Sequence, residues 1–241
     1  MKDLQNKNKE HVHRASPLLV GNKNKLTANI IGATGLVGQQ LILQLLKNEH
    51  FEKIRIFVRR DAEISHPKLE QHIVDLGDEK SWEKLLKGDV LFSTLGTTLK
   101  QTGSKEKQYE IDYTLNLKFA TKAKENEIEH YVLVSSIGAN PKSKIFYTRM
   151  KGELDNAVAQ IGFEKLTILR PASLTGERSK KRMIETVSIP IIVFLTKFML
   201  KKYRPISAAL VAQAMIKAAL SPHRERIIWE GEAVFELADE K

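Results

Sequence analysis

Tyr147 and Lys151 stand four residues apart in Tyr147-Thr148-Arg149-Met150-Lys151. That spacing places both side chains on one helix face. A phenol exchanges protons poorly near neutral pH, because its reference pKa is about 10. A neighbouring ammonium favours the phenolate and brings that pKa down. Such a pair can pass a proton to or from a carbonyl or alcohol oxygen while a hydride moves. The lysine can also hold the ribose next to the hydride donor. Ser135 and Ser136 precede the pair by 12 and 11 residues, and either hydroxyl could bond the substrate oxygen. Those four residues are the candidate catalytic set.

A second cluster lies upstream, in Ile30-Ile31-Gly32-Ala33-Thr34-Gly35-Leu36-Val37-Gly38. An apolar run leads into three glycines spaced by three, and a helical pattern follows. Strand, glycine turn and helix form the layout that seats a dinucleotide pyrophosphate. Gly32 permits the tight turn, Gly35 the approach of a phosphate, and Gly38 close packing of helix on sheet. Thr34, Leu36 and Val37 complete the turn and the start of the helix, where unpaired N–H groups favour an anion. The next strand ends in Val58-Arg59-Arg60 rather than in an acidic residue. Two guanidinium groups there favour a ribose 2′-phosphate and so NADP(H), with NAD(H) as the alternative if Asp61 reaches the ribose. Asp75 could accept from an adenine amino group, with Leu76 over the ring, or it could cap a helix. Leu95 and Gly96 fall where a dinucleotide would cross the sheet edge.

The elements that must carry these residues alternate. Strands are expected at residues 28–31, 53–58, 71–75, 89–94, 131–136 and 166–170. Helices are expected from the glycine turn to about Asn48, over 79–86, over about 105–126 and over about 147–159. This order predicts an α/β Rossmann-type doubly wound parallel sheet with right-handed crossovers. After Pro171 the pattern loosens. Ile206 to Ala219 is amphipathic with Ser207 as N-cap, and Ile227-Ile228-Trp229 suits a last short strand. Residues 26–241 read as one domain, in which 171–241 form a small C-terminal lid on the substrate side. Residues 1–25 read as a poorly ordered polar extension.

The chain has 241 residues, 42% of them apolar, and no cysteine. Disulfides, thiolate catalysis and cysteine zinc sites are excluded. No metal site is expected; His11 and His13 are read as incidental residues of the tail. The net charge is +10, part of it in Arg178 to Lys202, without a nucleic-acid-binding signature. The apolar stretch 189–200 is too short to span a bilayer and reads as a buried helix. Its basic flanks leave peripheral membrane contact or a protein partner as alternatives. With no secretory signal and no cysteine, a cytoplasmic location is expected.

The chain resembles the short-chain dehydrogenase/reductase superfamily of the extended or atypical kind. Within it, Gly32 to Gly38, Tyr109-Glu110-Ile111-Asp112-Tyr113, Ser135 to Ala139, Tyr147 to Glu153, Leu169-Arg170-Pro171, Gly176-Glu177-Arg178 and Tyr203-Arg204-Pro205-Ile206 look like the Tat-interacting tumour-suppressor-type oxidoreductases and their bacterial relatives. The resemblance implies an NADP(H)-binding Rossmann fold, with Ser, Tyr and Lys in the reductase positions and Pro171 at the cofactor. Relatives place an Asn in the long helix; here Asp112 falls there, with Asn116 one turn later. The reading is an oxidoreductase that acts on a small carbonyl or alcohol substrate. The alternatives are an NADP(H)-sensing regulatory protein and a nucleotide-sugar epimerase or dehydratase.

Overall fold

The computed structural model describes residues 25–175, 203–222 and 224–239. The expected N-terminal extension (bar Lys25), His11 and His13, the basic region 178–202 and its apolar stretch 189–200 lie outside the described residues.

The seven strands of the main sheet are β1 (Leu26–Ile31), β2 (Phe51–Val58), β3 (Leu69–Ile73), β4 (Val90–Ser93), β5 (His130–Val134), β6 (Lys165–Arg170) and β9 (Arg226–Glu230). They pair in the order β3-β2-β1-β4-β5-β6-β9, and every neighbouring pair is parallel. The chain therefore winds outward from β1 in one direction and then returns to wind the other way from β4. The reversal opens a crevice beyond the ends of β1 and β4, the place where ligands bind in open α/β sheets. A separate two-stranded sheet pairs β7 (Leu174–Thr175) with β8 (Ile206–Ser207).

Strand alternation supplies two cores, one on each face. Ile30 packs with α1 (Leu36–Lys47), α6 (Ala208–Leu220) and α7 (Glu232–Asp239), through Leu41, Leu45, Met215 and Val234. Ile31 points to the opposite layer, with α4 (Asn116–Glu125) and α5 (Phe146–Gln160), through Phe119, Leu154 and Val158. Trp82 stacks on Phe119 there, with centroids 3.6 Å apart. Two short helices, α2 (Leu99–Thr102) and α3 (Lys105–Tyr109), follow β4. Between α3 and α4 the helix widens into a π-helical turn, Glu110–Leu115.

Three expectations need correction. Residues 79–86 form only a 3₁₀ turn, Glu79–Ser81, because Trp82 lies buried against the sheet and donates to Leu76 O at 3.3 Å. The third strand runs Leu69–Ile73, two residues earlier than read. Asp75 Oδ1 accepts from Gly77 N at 2.9 Å and turns the chain there. Finally, residues 206–239 of the expected lid build core: Ser207 accepts from Leu210 N to cap α6, and β9 extends the sheet beside β6.

Candidate nucleotide-binding and reductase site

The crevice at the sheet reversal is a cleft of about 490 Å³. Gly35, Leu36 and Val37 form one wall, Leu95 to Thr98 the floor, and Ser135, Ser136, Tyr147, Lys151 and Pro171 the far side. The two sequence clusters, about 100 residues apart, are thus brought to one cavity. Thr94 ties the strand ends together, its hydroxyl donating to Ile31 O and Gly32 O at 3.0 Å each.

The glycine turn fits a phosphate. Gly32 has φ +78°, and a Cβ there would lie 2.5 Å from the backbone of Thr94 and Leu95. A Cβ on Gly38 would lie 2.3 Å from Gly32 O, so α1 sits directly on the turn. At Gly35 the nearest atoms to an added Cβ are Gly32 O at 3.1 Å and Thr94 O at 3.9 Å, and Gly35 lines the cleft. Gly35 is also the N-cap of α1 and brings no side-chain hydrogen bond to it. The first N–H groups of α1 remain available to an anion, aided by the helix dipole. Thr34 lies between these glycines and is exposed.

Arg59 and Arg60 are exposed beyond β2, outside the cleft lining. Asp61 is committed elsewhere: it accepts from Gln71 Nε2 at 2.8 Å and Glu63 N at 2.7 Å. The Gln71 bond, then the Glu63 N–H, hold its carboxyl below the usual range. Asp75 is exposed and bonded within its own turn, while Leu76 is buried against Trp82. The helix-capping alternative for Asp75 is filled by Asp78, which accepts from Lys80 N.

At the other end, Tyr147 is partly exposed at the cleft edge and Lys151 is buried one turn below it. Gly152 lets α5 approach, since a Cβ would lie 2.3 Å from the Asn140–Pro141 backbone. Lys151 Nζ lies 3.7 Å from Asp112 Oδ1, and Asp112 Oδ2 accepts from Thr97 N at 2.8 Å. Burial pushes the Asp112 carboxyl up to about 6, against the opposing pull of Lys151 and the Thr97 N–H. Asn116 fastens the π-helical turn. Its amide donates to Ile111 O, Asp112 O and Leu95 O, and its oxygen accepts from Ser93 Oγ.

Sequence reasoning did not single out Asp155, one turn beyond Lys151. It is buried, accepts from Arg170 Nε at 2.9 Å and lies beside Ser135. Burial raises its carboxyl, with the Ser135 hydroxyl and Arg170 opposing. Ser135 Oγ is itself sealed from solvent and makes no hydrogen bond of good geometry, whereas Ser136 is half-buried. The signal for Asp155 was its spacing: Tyr147, Lys151 and Asp155 fall at four-residue intervals on one helix face.

The glycine turn, the reversal crevice and the parallel sheet define a Rossmann-type dinucleotide-binding protein. Residues 32–222 match a family model described as NAD(P)H-binding. Similar solved structures include UDP-N-acetylglucosamine 4-epimerase from Methanobrevibacter ruminantium M1, with TM-score 0.65 and 18% identity over 88% of this chain and 81% of that one. The Bordetella bronchiseptica enzyme WbmH, in complex with NAD⁺, gives 0.66 and 17% over 89% and 80%. Sequence relatives are nearer. Protein FMP52, mitochondrial, from Coccidioides immitis (strain RS) is 34% identical over 212 residues, 81% of this chain and 86% of its own length. The protein of that name from Saccharomyces cerevisiae (strain ATCC 204508 / S288c) is 38% identical over 157 residues, 64% of this chain and 68% of its own. The chain belongs to the FMP52 family and carries its NAD(P)H-binding domain over residues 32–222. Their names place these relatives in mitochondria, which overturns the expectation of a cytoplasmic protein.

Proposed function

We propose that the protein is an NADP(H)-dependent oxidoreductase acting on a small carbonyl or alcohol substrate. The observation that carries this reading is the meeting of Tyr147, Lys151 and the Ser135–Ser136 pair with the α1 N-terminus in one cleft. When bound, NADPH supplies the hydride. Tyr147 Oη donates the proton to the carbonyl oxygen as negative charge builds there. A hydroxyl from Ser135 or Ser136 donates a hydrogen bond to the same oxygen. Lys151, one turn along the same helix from Tyr147, would supply positive charge to the site and would hold the nicotinamide-side ribose. Gly35 and the N–H groups of Leu36 and Val37 would hold the pyrophosphate. Leu95, Gly96 and Pro171, which line the cleft, would border the dinucleotide.

The preference for NADP(H) over NAD(H) is supported by Arg59 and Arg60, exposed where β2 ends, and by the prior engagement of Asp61 with Gln71. The test is calorimetry with NADPH and NADH, followed by a carbonyl-substrate screen on the same sample. The reading expects tighter NADPH binding and turnover of at least one carbonyl compound. Binding of neither nucleotide overturns it.

A further inference from the structure

Ile145 breaks a local rule. It is the N-cap of α5, where Ser, Thr, Asp or Asn would accept a free N–H of the first turn and isoleucine cannot. No side-chain hydrogen bond caps that helix. Ile145 is also 67% exposed, the most of any large apolar side chain among the described residues. Neither capping nor core packing explains it, and a local conflict of this kind is expected at functional positions. Its place in the fold supplies a function. Ile145 stands two residues before Tyr147, outside the cleft lining but at its edge. On the floor side Leu99, 46% exposed, follows Thr98, which does line the cleft. Lys105 of α3 reaches over the Phe146 ring of α5, 5.7 Å from its centroid, so the two sides come together outside the cavity. Exposed apolar residues scattered singly are ordinary, but Ile145 and Leu99 flank one opening.

The cleft behind this rim has no charge to spare. Its charged lining side chains are Asp112 and Lys151, which face each other at 3.7 Å. Val134, Ile137, Ala172 and Leu174 supply apolar lining. Among the described residues, a phosphate or carboxylate on the substrate meets no unpaired cation in that lining, and burying it there unpaired is costly. An apolar chain meets apolar wall inside and Ile145 and Leu99 at the exit. We propose that the substrate is a neutral carbonyl compound with an apolar chain, and that Ile145 and Leu99 hold the chain where it leaves the cleft and set a preference for long chains. This rests on the reductase reading of the cleft.

The test is a series of straight-chain aldehydes from propanal to octanal, reduced with NADPH by the full chain. In wild type kcat/KM should rise about two- to threefold per added methylene, somewhat below the gain for complete burial, and butanal should exceed 4-oxobutanoate at least tenfold. Ile145→Ser and Leu99→Gln should each cut the ratio of kcat/KM for octanal to that for propanal about fivefold or more. A serine supplies the missing cap, so Ile145→Ser should unfold at or above the wild-type Tm, and lost stability cannot explain its lost selectivity. A flat chain-length series, a preference for 4-oxobutanoate, or a wild-type ratio in both variants overturns the proposal. A wild-type ratio together with a dimer that becomes monomer in sedimentation also overturns it, and gives the rim to a second copy of the chain. If wild type reduces no aldehyde, the reductase reading fails by itself. Calorimetry of octan-1-ol against propan-1-ol on NADPH-loaded protein then decides the rim: binding at least tenfold tighter for octan-1-ol, reduced in Ile145→Ser, supports it, and equal binding overturns it.

Discussion

The two glycines Gly35 and Gly38 are three residues apart, yet an added methyl should do opposite things at each. Gly38 is inside α1, where alanine ordinarily gains up to about 1 kcal/mol over glycine. Here its Cβ would lie 2.3 Å from Gly32 O and 2.8 Å from Ala33 Cα and O. These are backbone atoms that cannot swing aside, and the overlap is about 1 Å at the carbonyl. Overpacking of this kind costs about 1–3 kcal/mol or more, so Gly38→Ala should be destabilised by roughly 2 kcal/mol. For a domain of this size that is a fall in Tm of roughly 4–8 °C. Gly35→Ala meets only Gly32 O at 3.1 Å, and its fold should lose less than about 1 kcal/mol. Its methyl occupies the phosphate approach, so NADPH affinity should drop about tenfold or more, or at least about 1.4 kcal/mol. Thermal unfolding followed by circular dichroism and an NADPH fluorescence titration read both quantities. A Gly38→Ala protein at or above the wild-type Tm would refute the packing argument. A Gly35→Ala protein with wild-type NADPH affinity would refute the phosphate argument.

Arg59→Ala and Arg60→Ala should each weaken NADPH binding about tenfold and leave NADH within about twofold, since only the former carries the 2′-phosphate; equal losses for both nucleotides count against these arginines as the selectivity determinant. His130 is held neutral by burial, then by Lys165, with its pKa down at about 3, while the unfolded chain protonates near 6.5. Stability should therefore fall as pH drops below about 6.5, and His130→Gln should flatten that decline in urea titrations at pH 4–7. Asp112 has the opposite sign. Burial raises its folded pKa to about 6, above the 3.8 of a free aspartate, so its contribution is fully present below about pH 4 and is lost as pH rises through 6. Asp112→Asn should remove that slope from the same titrations.

The parts of this fold legible in the sequence are those coded by neighbours in the chain. The glycine turn and the Tyr147–Lys151 spacing are local patterns that form as read, and the fifth strand forms too but ends at Val134, just before Ser135 and Ser136. Ser207 as the cap of α6 belongs with them. Long-range pairing is a different matter. Nothing within residues 226–230 says that they lie beside β6; that is settled by register, Leu166 against Arg226 through Arg170 against Glu230. Trp82 shows local propensity losing to burial, because one large ring drawn under the sheet flattens a segment that reads as helix. In the cleft, the sequence supplied the residue types and the Tyr–Lys spacing. The contact between Asp112 and Lys151 joins positions 39 residues apart on different helices, and no periodicity encodes it. Location was misjudged because an absent secretory signal and absent cysteines fit more than one compartment.

The claim at the centre of this account is that the cleft performs hydride transfer with Tyr147 as its acid. The direct measurement is a single-turnover reaction with NADPH deuterated at the nicotinamide C4, comparing wild type with Tyr147→Phe and following deuterium into a carbonyl substrate by mass spectrometry. The account predicts labelled alcohol from wild type, a rate lower by about 100-fold or more in Tyr147→Phe, and unchanged NADPH affinity in both. Equal labelling rates in the two proteins, or tight NADPH binding with no label transferred by wild type, would contradict it.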